Sequence, residues 1–194
     1  MAEAAGRLGI RALPGLEITS REEVHVLARF YDRDAALRLQ ERVYDALPGE
    51  NDPDVFGLQV VADAEDGVLG FNGRLLAGAA DLPLADVVAA IRGLGGLAVA
   101  AHADREGFGI VGQLGFIPDG LELDALEFSP NMSLDDARQA FGTKRPLITS
   151  SDAHSPEEVG RASTTFWLRE GSAAEIGLAL KGREERRILS WNAP

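Results

Sequence analysis

The chain holds three histidines, His25, His102 and His154, and each lies in or at the end of an apolar, strand-like run. The last belongs to "LITSSDAHSPEEVGR", residues 147–161, where an apolar run ends in Ser150, Ser151, Asp152, Ala153 and His154 and breaks at Pro156. Side chains alternate along an extended chain, so a carboxylate and an imidazole two residues apart point the same way. Such a pair can grip one metal ion, or it can cap a helix. Ser155, directly before Pro156, suits the capping role better than Asp152 does. Glu17 sets a second carboxylate inside the apolar run "PGLEIT", and a charge there is costly to bury unless it is paired or metal-bound. Glu17, His25, His102, Asp152 and His154 together form a donor set suited to divalent Mn, Fe or Zn. Plainer readings stand beside this one. Glu17 fits a surface position or an ion pair with an Arg, and His25 fits a half-buried strand residue satisfied by backbone. His102 fits a purely structural role less well, because "AVAA" before it reads as strand and "ADREGFG" after it as polar loop.

The elements that must position these groups are legible as alternating strands and helices. Residues 12–18 and 24–30 read as strands joined by a polar turn. Residues 33–47 carry apolar positions at helical spacing, and Pro48-Gly49 ends the run. An Asp-Gly pair between "VVA" and "VLGF" predicts a small hairpin. A helix over 84–92 is stopped by glycines, and "LAVAAH" has the small residues of a covered parallel strand. Further strands are expected at 125–129, in the run ending at Ser150, at 163–168 and near 187–191, with helices at 134–141, from Pro156 and at 173–181. The first residues read as the tail of a helix. Repeated β-then-α units predict one α/β domain, either a barrel or a doubly wound sheet. On such a fold the strand C-terminal ends converge on one face, where active sites are built.

Composition narrows the chemistry. The 194 residues contain no cysteine, which excludes disulfides and thiolate metal sites and leaves nitrogen and oxygen ligands. A formal net charge of −12 argues against a sequence-independent grip on duplex nucleic acid. It leaves room for a phosphate-bearing substrate, because a bound cation reverses the local sign. No apolar run reaches membrane-spanning length and no secretory signal pattern opens the chain, so a cytoplasmic protein without a membrane partner is expected.

The ordered segments "PGLEIT…EVHVL", "AAHADR", "LDALEFSPN" and "ITSSDAHSPEEVGR" resemble the PHP (polymerase and histidinol phosphatase) domain of metal-dependent phosphoesterases. The resemblance runs from about residue 10 to the C-terminus, and S-D-A-H before a short helix is its most specific part. It implies a distorted β/α barrel with metal ions at the strand ends. It also implies that Glu17, His25, His102, Asp152 and His154 are ligands, with Glu17 bridging and Asp152 and His154 on different ions. The implied reaction is in-line attack on a phosphorus ester by a metal-bound water. Arg105, just after the His102 strand, is then placed to bind substrate phosphate; its plainer reading is a surface Arg paired with Glu106 or Asp104.

The sequence departs from the family pattern at its start, where the family's H-x-H strand and a further His strand have no counterpart here. The expectation is a PHP-like barrel incomplete at its N-terminal edge. It would hold one ion, or two with several waters, and expose an open sheet edge that favours self-association. Three functions follow: a phosphoesterase acting on a nucleotide, sugar phosphate or oligonucleotide end; a weakly metal-binding, non-catalytic or partner-completed domain; and an amidohydrolase-like enzyme. The last is weakest, since neither lysine, Lys144 or Lys181, lies at a suitable strand end.

Overall fold

A computed structural model describes residues 2–63, 65–142 and 144–193. A short helix α1 (Ala2–Arg7) leads into the antiparallel strands β1 (Gly15–Thr19) and β2 (His25–Arg29). Helix α2 (Arg33–Asp45) follows, started by Asp32, whose carboxylate accepts the amide N–H of Ala35 at 2.8 Å. A lobe comes next, built from the single turn α3 (Pro53–Phe56) and the pair β3 (Val60–Ala62) and β4 (Val68–Phe71). The predicted Asp-Gly turn joins that pair, with the Asp63 carboxylate accepting from Gly67 N–H at 2.7 Å. Helix α4 (Leu84–Gly93), strand β5 (Leu97–Ala100), the short helix α5 (Ile110–Leu114) and strand β6 (Ala125–Phe128) make one β-α unit. Helix α6 (Leu134–Phe141) and strand β7 (Leu147–Thr149) make the next. A 3-10 turn at Pro156–Glu158 precedes β8 (Ser163–Trp167), α7 (Ala173–Leu180) and β9 (Arg187–Asn192).

The central sheet runs β1-β2-β5-β6-β7. Its first three strands are antiparallel and its last three parallel, so the sheet is mixed. Alternation along each strand divides the side chains between two faces. Ile18, Val26, Ala28, Ala98, Ala100, Leu126 and Phe128 pack with α2 and α4 in the main core. On the opposite face Leu27, Leu97, Val99, Ala125 and Ile148 meet Ile176 and Leu180 of α7, with Phe166 and Ile188 from the β8-β9 pair.

The expected α/β fold forms around this mixed sheet, which is open; no closed barrel is present among the described residues. Among the described residues β1 has a strand partner on one side only. At the other end β8 and β9 form a separate antiparallel pair, linked to β7 through side chains and not by a continued ladder. Thr164 Oγ1 accepts from Thr149 N–H and donates to Thr149 C=O, both at 2.8 Å, and the Trp191 indole donates to Leu147 C=O at 2.7 Å. A groove of about 720 Å³ runs beside β1, bounded by Tyr44 of α2 and by Asn72 and Leu76 of the lobe. Val60, Val61, Val68, Leu69 and Phe71 of the lobe are exposed. No helix among the described residues is long and apolar enough to cross a membrane.

Candidate metal centre

Antiparallel pairing sets Glu17 of β1 opposite Leu27, two pairs away from the Thr19–His25 pair, so Glu17 and His25 lie on the same sheet face. β5 lies on the far side of β2 and ends just before His102. Three side chains converge there. His25 Nδ1 is 3.2 Å from Glu17 Oε1, His102 Nε2 is 3.5 Å from the same oxygen, and the two ring nitrogens are 3.2 Å apart. His102 is 3% exposed at its side chain and Glu17 35%, so the cluster has a dry inner wall and an open mouth. Hydrogen bonding from His102 first, and then from His25, holds the Glu17 carboxyl far below the usual carboxylate range, against the opposing effect of burial. Glu17 is therefore an anion at neutral pH.

These residues fit a divalent cation. Bonds of about 2.0–2.2 Å to nitrogen and oxygen place tetrahedral ligands about 3.3–3.6 Å apart, close to the separations observed. One anionic oxygen and two imidazoles form a donor set suited to Mn, Fe or Zn.

The loop after His102 closes around the cluster. His102 and Phe108 adopt left-handed backbone conformations, with φ of 27° and 64°, which are uncommon for residues carrying a Cβ and concentrate at functional sites. Phe108 holds His25 twice. Its C=O accepts the His25 amide at 2.9 Å, and its ring stacks on the imidazole with centroids 4.4 Å apart and planes 18° off parallel. Gly109 makes this turn possible, since a Cβ there would run into the carbonyl oxygens of Arg105 and His102. Asp104 anchors the loop to the end of β6, accepting from Ser129 N–H and Ser129 O–H, both at 2.6 Å.

The other two expected ligands lie outside this cluster. Asp152, at φ 46°, places Oδ2 2.6 Å from the guanidinium of Arg105. Arg105 thus pairs with neither Glu106 nor Asp104, and it ties the His102 loop to the strand end that carries Asp152. His154 is 76% exposed at its side chain, its Nδ1 3.0 Å from the Asp152 C=O and 4.0 Å from Asp152 Oδ1. Among the described residues only Glu17, His25 and His102 converge closely enough to share one ion. Ser155 begins the 3-10 turn as expected, with Glu158 Oε2 accepting from the amides of His154 and Ser155 at 2.8 and 3.2 Å.

Sequence reasoning passed over two residues at this site. Phe108 carries no chemical signal beyond its glycine neighbours in "GFG". Glu127 does carry one: it is a carboxylate inside the apolar strand "ALEF", the same anomaly that singled out Glu17. It is 4% exposed, and Ser150 Oγ donates to it at 2.6 Å. Burial pushes its pKa up, against the lowering effects of the Ser150 bond, of Arg29 and of His102.

Known proteins resemble the chain in fold and in one segment. Residues 139–184 match the family model PHP_C, described as PHP-associated. The uncharacterized protein YqxK of Bacillus subtilis is 29% identical over 106 residues, 52% of this chain and 27% of YqxK. The lesion-specific endonuclease PfuEndoQ of Pyrococcus furiosus superposes with a TM-score of 0.65 at 19% identity, over 91% of this chain and 40% of that one. Endonuclease Q bound to a 27-mer duplex with an abasic lesion at its active site gives 0.63 at 20% identity, over 91% and 41%. The chain spans about a quarter of YqxK and about two fifths of the endonuclease Q chains. The chain is similar in fold to part of endonuclease Q, and its C-terminal segment resembles the PHP-associated family.

Proposed function

We propose that the chain is a metal-dependent phosphoesterase domain acting on a phosphate ester of nucleic-acid type. The convergence of Glu17, His25 and His102 on one point is the observation that carries this reading. The likeness in fold to an endonuclease seen with a lesion-bearing duplex supports the choice of substrate class. A divalent Mn, Zn or Fe held by these three supplies Lewis acidity, offsetting charge that builds on the phosphate oxygens. Glu17 contributes the negative charge that retains the cation. His25, stacked under Phe108, and His102, buried at the strand end, fix its position. Arg105 lies beside the cluster, and its fork of donors suits a phosphate oxygen once it leaves Asp152. Asp152 and His154, joined to the same loop through Arg105, are the groups available to a second ion.

A second reading is a metal-binding domain that acts only when a partner completes it. It is favoured by the small number of converging donors and by the open flank of β1.

An assay of phosphodiester and phosphomonoester hydrolysis separates the two. The substrates are nitrophenyl esters and a short oligonucleotide with an abasic site, with Mn²⁺ added. The first reading predicts Mn²⁺-dependent turnover that falls at least about a hundredfold in His102→Ala and in Asp152→Ala. Mn²⁺ binding without turnover selects the second reading. Turnover unaffected by either substitution would remove the proposed site.

A further inference from the structure

Metal-binding histidines are usually oriented by a hydrogen bond from the ring nitrogen that does not face the ion. His102 lacks that support, for its Nδ1 is buried without a hydrogen-bond partner among the described residues. Its orientation must come through its backbone, which sits in a left-handed conformation that something has to hold. Glu127 meets that backbone at two points. Its C=O accepts the amide of Ala103 at 2.7 Å, and its carboxyl faces the amide of His102. The same carboxyl takes the hydroxyl of Ser150, two residues before Asp152. One side chain therefore joins the loop of His102 to the strand end that leads to Asp152.

Its cost marks it out. Asp124 and Glu175 are also buried acids, and each has a cation in contact: Arg92 at 3.0 Å and Lys181 at 3.8 Å for Asp124, Arg186 at 2.8 Å for Glu175. Glu127 has no ion pair among the described residues, and a buried acid without one opposes folding. An apolar side chain of similar size at this position in β6 would serve the sheet better. We infer that Glu127 is a positioning residue of the candidate metal centre, setting the backbone of His102 and, through Ser150, the approach to Asp152. This inference rests on the metal-binding reading above.

The test pairs metal binding with thermal stability on the full chain. Glu127→Leu should leave the melting temperature unchanged or raised while weakening Mn²⁺ binding by about 10–100-fold in calorimetry. Glu127→Gln, which keeps an oxygen for the His102 amide, should restore most of that affinity. A folded Glu127→Leu chain binding Mn²⁺ as tightly as wild type would overturn the inference. A second readout serves if that variant does not fold. With only three histidines in the chain, histidine-labelled NMR spectra of metal-free protein can be assigned by substitution. Glu127→Gln and Ser150→Ala should shift the signals of His102 and leave those of exposed His154 in place. An unmoved His102 signal in both would overturn the inference. If wild type binds no Mn²⁺ at all, the metal reading fails, and the histidine spectra still decide the role of Glu127.

Discussion

Glu17 pairs with imidazoles where the sequence offered arginine as the plainer partner, and this gives its titration a defined sign. Its folded pKa lies far below the ordinary value of 4.5 because His102 and His25 hydrogen-bond to the anion. The stabilisation is therefore present above pH 4.5 and is lost as the pH falls below it. In chelator, the melting temperature of wild type should exceed that of Glu17→Gln near neutrality, with the gap closing on acidification below pH 4.5. A gap constant from pH 3 to pH 7 would contradict the geometry. At this scale the sequence was informative where the residue type was scarce or out of place. Histidines number three, and a carboxylate in an apolar strand stands out. It was uninformative where a common residue gains its role through contact, as Phe108 does by stacking on His25. That Asp152 meets the guanidinium of Arg105 is a tertiary matter, invisible in the local sequence.

Elements defined by local chemistry were read well. The Asp-Gly turn between "VVA" and "VLGF" lies where expected, and α6 spans 134–141 as expected, with Ser133 capping its start in the structure. The short helices α3 and α5 were passed over, since four and five residues complete no recognisable apolar period. Barrel closure was beyond local pattern, because it depends on which strands meet across the sheet. The loop between β5 and α5 is the element on which the site depends most, and its tightest constraint is Gly109. Gly109→Ala forces a Cβ against the carbonyls of Arg105 and His102. We expect a loss of about 1–3 kcal/mol in stability, with Mn²⁺ affinity falling further than in an equally destabilised variant remote from the loop. Denaturant titration and calorimetry together check this, and unchanged affinity would mean that the loop does not set the cluster.

Across the whole molecule, covering is uneven. β5 and β6 lie between other strands with both faces covered, whereas β1 forms the flank and opens onto the groove beside α2. The anionic member of the triad stands on that flank, while His102 follows a strand from the interior. In deuterated solvent, amides of β1 should therefore exchange early and those of β6 late, following the local cost of opening. An ion gripping Glu17, His25 and His102 would bind this loose margin to the firm centre. Adding Zn²⁺ should then slow deuterium uptake across Leu16–Thr19 while leaving Ala125–Phe128 as slow as before. The outermost strand would thus be fastened by the cargo it carries, and its rate of isotope uptake would reveal whether the cargo is aboard.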